Sequence, residues 1–234
     1  MSRTDRVRAR RLQTRVLADK LPEHISIIMD GNRRYAADTG LAATLGHRAG
    51  KEKLEDVMDW VLEIGVPYLT VYALSTENIT NRKPEELEAL FDLYVEGLND
   101  LSKDERILKN KVKVQVAGRK DLLPKRVLAA IENVETVTAE HDNFVFTVCL
   151  AYGSREEIIE AVRSIAADHA DGNIDLDAID EAEISKRLWT GDMPDPDLVI
   201  RTSGEERISN FLLWQSAYAE YYFTDVYWPS FLTE

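Results

Sequence analysis

Asp30-Gly31-Asn32-Arg33-Arg34 puts an acid, a glycine, an amide and two guanidinium groups into consecutive positions. Arginine forks grip phosphate in a bidentate way. Glycine lets backbone N–H groups approach an anion, and a carboxylate can hold a divalent cation. The set suits a phosphorylated substrate with a metal. By itself it suits equally a polar turn with solvated charges. What leads into it is the run Ile25–Met29, which reads as a buried strand stopped by a tight turn.

Other elements must hold that turn in place. Leu54, Val57, Met58, Val61 and Leu62 recur at helical spacing, ended by Gly65 and Pro67. Leu69–Leu74 reads as a second strand, leaving through the polar stretch Ser75–Pro84, which reads as a loop. A helix opened by Glu85 carries Leu87, Leu90, Phe91, Tyr94, Leu98 and Leu101. Val112–Ala117 and Phe144–Leu150 read as strands three and four, with helices around Val127–Val134 and Ile158–Ile165. Asp197–Ile200 reads as a fifth strand with Arg201–Gly204 as its exit turn, and Ala219–Phe223 as a sixth. Strands alternating with helices predict an α/β domain with a parallel sheet covered on both faces. Ligands in such sheets bind beyond the carboxyl ends of the strands. Those ends are where this sequence turns polar, which favours the phosphate reading over the bland one.

The totals limit the classes. The 234 residues suit a chain with ample core, and a net charge of −13 argues against non-specific nucleic-acid binding. The lone Cys149 lies in an apolar run, so no disulfide framework is expected and the chain reads as cytoplasmic. No run approaches the ~18 apolar residues of a membrane span. Residues 1–20 are locally basic with a weak apolar stripe, and read as a surface helix able to make peripheral contact with an anionic membrane. The remainder, 21–234, reads as one catalytic domain.

Five stretches together resemble the cis-prenyltransferase family: Met29–Ala36, Gly46–Gly50, Tyr72–Asn78, Asp197–Gln215 and Ala219–Asp225. The resemblance implies a single α/β domain with a mostly parallel six-stranded sheet, a hydrophobic tunnel and a dimer, with a homodimer expected. It implies condensation of isopentenyl diphosphate with an allylic diphosphate, farnesyl or geranylgeranyl, to a long-chain product such as undecaprenyl diphosphate, with Mg²⁺ as cofactor. A short-chain synthase and a non-catalytic partner subunit are the alternatives; the second typically lacks the Asp-Gly-Asn turn kept here. Carried over by position, Asp30 is the essential acid and a Mg²⁺ ligand. Gly31, Asn32, Arg33 and Arg34 bind the allylic diphosphate, and His47 helps hold the leaving pyrophosphate. Arg201, Arg207 and Ser209, with Glu205 nearby, bind isopentenyl diphosphate. Glu220 is the second metal-binding acid, reaching the partner's site. Ser75 and Asn78 support proton removal, and Arg82 matches a family arginine.

The sequence departs from the bacterial pattern at Arg33, often glycine there, at Tyr35, often tryptophan, and at Ala43, where bacterial members carry an arginine. The stretch Asn78–Arg82 is one residue longer and lacks a tryptophan. Phe144 and Phe146 stand where smaller aliphatics line the tunnel, so a phenylalanine is expected to limit product length. These variants look more like archaeal relatives, for which geranylgeranyl diphosphate is the expected primer.

Overall fold

A computed structural model describes residues 20–231. The expected basic helix of residues 1–20 therefore lies, apart from Lys20, outside the described residues. Six strands form one sheet: β1 (His24–Ile28), β2 (Tyr68–Tyr72), β3 (Val112–Ala117), β4 (Phe144–Cys149), β5 (Leu198–Arg201) and β6 (Glu220–Phe223). Their order across the sheet is β3-β4-β2-β1-β5-β6, and every pairing is parallel. All five residues of β1 are buried, as a strand covered on both faces requires. From β1 the chain first builds to one side through β2, and only later returns to place β5 on the other. The order thus reverses between β1 and β5, and a ligand crevice is expected there, beyond the strand ends.

The helices are α1 (Asn32–Asp38), α2 (Ala43–Ile64), α3 (Thr76–Asn81), α4 (Pro84–Leu101), α5 (Glu105–Lys109), α6 (Lys125–Val137), α7 (Ser154–Ala170) and α8 (Glu181–Lys186). The main core packs Ile25, Ile27, Leu69, Val71 and Phe146 of the sheet against residues of α2, α4 and α6, among them Val57, Phe91 and Ile131. A smaller cluster around Ile28, Tyr72, Cys149, Tyr152 and Phe211 fills the second face.

Several expectations are corrected. Ser75–Pro84 is not a loop: Ser75 caps α3 by accepting a hydrogen bond from the Asn78 N–H at 3.1 Å. A helix whose single apolar residue is the partly buried Ile79 has no apolar period to betray it, but its cap was visible as Ser75. Arg201 ends β5 rather than opening its exit turn, pairing with Ile28 and Phe223. Helix α1 escaped notice because Ala36 is its single buried residue. On α7 the apolar Ile159 and Val162 face outward, whereas the charged Glu157 is fully buried.

Two glycines explain how α1 is held. A Cβ on Gly46 would stand 2.2 Å from the Asn32 carbonyl oxygen, and one on Gly50 would stand 2.4 Å from Asn32 Oδ1. Spaced four apart on α2, they form a groove that receives the first turn of α1. Gly31 itself has φ +104, and a Cβ there would meet Ser203 Oγ and the Tyr227 ring, each at 2.9 Å. Gly46→Ala should therefore destabilise the fold by ~1–3 kcal/mol, the usual cost of overpacking. Denaturant unfolding measures this, and an unchanged midpoint would mean that α1 can shift without penalty.

Candidate active site

Asp30 leaves the end of β1 with its backbone fixed by Thr202. Its N–H donates to Thr202 Oγ1 at 3.0 Å, and the same hydroxyl donates to the Asp30 carbonyl at 2.6 Å. Asp30 Oδ1 accepts from the Gly31 N–H at 2.7 Å. Oδ2 accepts from Arg201 Nη2 at 2.9 Å and lies 3.3 Å from Arg34 Nη2. Arg201 is only 4% exposed, so the strand that carries it also rigidifies its fork. Its Nη1 donates to Ser209 Oγ at 2.8 Å and to the Arg207 carbonyl. Arg207 extends into solvent and pairs with Glu205, which Arg34 also approaches at 3.7 Å. Thus Asp30, Arg34, Arg201, Glu205, Arg207 and Ser209 come together as the sequence predicts.

A second group gathers on Glu86, which sequence reasoning missed. Its Oε1 accepts from Arg82 Nη1, lies 3.3 Å from His47 Nε2 and 3.6 Å from Arg33 Nε. Burial opposes its charge, but Arg82, His47 and Arg33 outweigh burial and hold its pKa below the usual carboxylate range. The available signal was its place four residues after Arg82, across the helix-starting Pro84. Arg33, whose side chain is 62% exposed, thus turns toward Glu86 rather than toward Asp30. Arg82, uncertain in register from the sequence, stands beside His47 at 3.4 Å.

Tyr72 and Asn210 were also missed. Tyr72, the last residue of β2, donates its hydroxyl to the carbonyls of Tyr152 and Ser209, at 3.1 and 3.3 Å. Ser209 and Asn210 both hold positive φ, 49 and 63. Asn210 restrains that backbone: its carbonyl accepts from Ser154 N–H and its Oδ1 from Arg155 N–H, while its Nδ2 donates to Glu77 and Glu156. Deeper in, buried Glu157 accepts from Tyr152 and Gln215 side chains and from the Trp189 N–H, anchoring the same segment from behind. Burial pushes the Glu157 carboxyl above its ordinary range, though these donors pull it back.

The two groups share one cavity of about 1010 Å³. Asp30, Gly31, Asn32, Arg33, Arg34, His47, Ser75, Asn78, Arg82, Arg201, Arg207 and Ser209 all line it, followed by Leu54, Met58, Leu90, Leu93, Leu98 and Leu150. Phe146 lines it but Phe144 does not; Tyr94 and Leu98 line it while Phe91 belongs to the core. Trp228, expected only to pack, is fully buried and also lines it, with its Nε1 donating to the Gly50 carbonyl at 2.8 Å. Buried polar atoms at its polar end, Asn32 Oδ1, Arg82 Nε and Arg201 Nε, have no hydrogen-bond partner. The two guanidinium N–H donors, Arg82 Nε and Arg201 Nε, are what an oxygen-rich anion would satisfy; the Asn32 oxygen calls for a donor instead.

Among the described residues no three acids, histidines or cysteines gather as metal ligands. The Asp30 carboxylate at the cavity fits Mg²⁺ all the same, because that ion is usually held by one or two carboxylates, substrate phosphates and waters. Glu220 stands apart. It opens the edge strand β6 opposite Leu198, whereas Asp30 lies beyond the other end of the sheet, past Ile28 and its partner Arg201. Within one chain these two acids do not meet.

A family model described as "Putative undecaprenyl diphosphate synthase" matches residues 28–234. The chain belongs to this family, the cis-prenyltransferases. Among its relatives is the Methanopyrus kandleri tritrans,polycis-undecaprenyl-diphosphate synthase (geranylgeranyl-diphosphate specific), 54% identical over 220 residues, covering 94% of this chain and 81% of that protein. The Pyrococcus abyssi protein of the same name is 48% identical over 95% of this chain and 84% of its own. This cis-prenyltransferase is thus of the archaeal type. Among solved structures, lavandulyl diphosphate synthase from Lavandula x intermedia, in complex with dimethylallyl diphosphate, superposes with a TM-score of 0.84 at 34% identity, covering 90% of this chain and 89% of that one. A probable undecaprenyl diphosphate synthase from Campylobacter jejuni gives 0.73 at 28% identity, over 92% and 91%. As a member of this family the chain is a prenyl diphosphate synthase, a transferase of prenyl groups.

His47 supplies a check on the site's electrostatics. Burial lowers its pKa below 6.5, Arg82 lowers it further, and Glu86 pulls the other way. As pH falls through 6.5, the unfolded chain binds a proton that the folded ring still refuses, so this residue's contribution to stability falls until the folded ring titrates. An NMR titration of the His47 ring should show a midpoint below 6.5, and a midpoint at or above that value would overturn the assignment of a neutral ring.

Proposed function

We propose that this chain condenses isopentenyl diphosphate onto geranylgeranyl diphosphate and repeats the step, giving a long cis-polyprenyl diphosphate of the undecaprenyl class. The observation that carries the reading is the Asp30–Arg201 pair at the polar end of a cavity whose remainder is largely apolar. Such a cavity suits a molecule with a diphosphate head and a hydrocarbon tail. The primer preference rests on the names borne by the archaeal relatives.

The allylic C–O bond breaks and its electron pair leaves with pyrophosphate. The isopentenyl double bond attacks the allylic carbon, and a proton lost from the adjoining carbon leaves a new cis double bond. Arg34 and the N–H groups of Asn32 and Arg33 face the allylic diphosphate, with Gly31 allowing the close approach. His47 and Arg82, poised on Glu86, meet the departing pyrophosphate. Arg201 and Ser209, with Arg207 and Glu205 at the rim, receive isopentenyl diphosphate. Ser75 and Asn78 orient the carbon that loses its proton; neither is a base near neutral pH, whereas phosphate oxygens titrate near pH ~6. Mg²⁺, held by Asp30 and diphosphate oxygens, would offset the charge growing on the leaving group.

We read the working form as a homodimer in which Glu220 of a second copy adds its carboxylate to this site. The support is an exposed aromatic edge, Tyr218, Tyr221 and Tyr222, flanking Glu220. No helix among the described residues is long and apolar enough to cross a membrane; we place the enzyme in the cytoplasm, with peripheral membrane contact.

Labelled isopentenyl diphosphate should be incorporated with geranylgeranyl diphosphate in preference to farnesyl diphosphate, and chelating Mg²⁺ should stop it. No incorporation with either primer would sink the reading. Asp30→Asn, which keeps a polar partner beside Arg201, should lower turnover by at least ~100-fold while leaving the fold intact; normal turnover would refute its role.

A further inference from the structure

The cavity does not end as it begins. Along α2 its wall runs from His47 through Gly50, Lys51, Leu54 and Glu55 to Met58. That span of residues 47 to 58 covers ~16 Å at 1.5 Å per residue. Along α4 the wall continues to Leu101, and then reaches Asp104 and Arg106. Beyond His47 the pairs advance together: Arg48 meets Glu96, Lys51 meets Asp100, and Glu55 and Asp59, on the far turns of α2, meet Arg106. The wall that starts at the diphosphate end therefore finishes among charges.

Those charges are paired across the helices. Lys51 Nζ lies 2.6 Å from Asp100 and 3.3 Å from Glu96. Arg106 lies 2.7 Å from Asp59, 2.6 Å from Asp104 and 3.7 Å from Glu55. At the seam α4 presents Gly97, and a Cβ there would have only Lys51 Cε nearby, at 3.5 Å. A flexible lysine stem laid over a glycine thus makes part of the wall. Partly exposed pairs of this kind are individually weak and weaken further with salt.

The hydrocarbon arithmetic makes this seam matter. An extended carbon chain advances ~1.2 Å per bond, so an isoprene unit takes ~5 Å and a four-unit primer ~20 Å. A primer seated at the arginines already fills the wall, and every added unit pushes an apolar tip against the paired charges. We propose that the Arg106 cluster between the far turns of α2 and the start of α5 is the exit of the cavity, and that Arg106 helps set product length. The growing chain parts Arg106 from Glu55 and Asp59 and emerges between them. The inference rests on the elongation reading above.

The test measures product length by chromatography, with labelled isopentenyl diphosphate in saturating excess over geranylgeranyl diphosphate. Sodium chloride is raised from ~0.05 M to ~0.5 M, shortening the screening length from ~14 to ~4 Å. The unmodified enzyme should shift toward products longer by one or more units. The Arg106→Gln variant should make those longer products at low salt and no longer respond to salt. Leu101→Trp, which narrows the far end of the cavity, should shorten them. If elongation proceeds normally but lengths ignore the substitutions, or the salt response persists in the Arg106 variant, the exit inference fails alone. If the unmodified enzyme adds no units to any primer, the elongation reading fails and the inference falls with it.

Discussion

The contact between Arg201 and Asp30 joins two residues distant in sequence that β1 and β5 bring side by side. A guanidinium buried this completely costs a great deal unless it is paired. Here Asp30, Ser209 and the Arg207 carbonyl share that duty, so the arginine organises its neighbours as much as it awaits a substrate. Asp30 in turn draws in Arg34 and the Gly31 N–H. The site is thereby preorganised, and most of its charge arrangement exists before any diphosphate arrives.

Much of the fold was legible because parallel strands buried on both faces announce themselves as apolar runs, as Ile25–Ile28 and Phe144–Cys149 do. Of the elements that escaped, α1 and α3 have little buried surface, so capping and a glycine groove do the work that periodicity does elsewhere, and α5 is too short to show a period. The gathering of Asp30, Arg34, Arg201 and Ser209 was legible through the resemblance, whose motifs place them together. Glu86 and Tyr72 were not, because each acts on another side chain or on the backbone, through contacts that only the folded chain creates. Phe144 and Phe146 illustrate the remaining limit. They stand two apart on one strand face, both buried, yet only one reaches the cavity. Periodicity gives the face but not the depth.

The cavity joins two kinds of construction. Near the polar end it is held by backbone close to glycine, by capped helix starts and by nearly buried pairs. Toward α5 it is held by long, half-exposed lysine and arginine side chains. Rigid contacts suit bond making, where small displacements are costly. Pliable contacts suit the handling of a tail that changes length.

The strand order carries a consequence for how the chain is made. β1 emerges early from the ribosome and can pair at once with β2, but its other neighbour, β5, follows ~170 residues later, roughly ten to thirty seconds at ordinary synthesis rates. Throughout that interval the most buried strand of the sheet has one edge of bare N–H and carbonyl groups, beside an unpartnered Asp30. Unpaired edges of this kind invite pairing with other chains. Nascent copies of this enzyme should therefore be good clients for chaperones that shield β edges, until the arrival of β5 covers that edge and brings Arg201 to Asp30 in the same event.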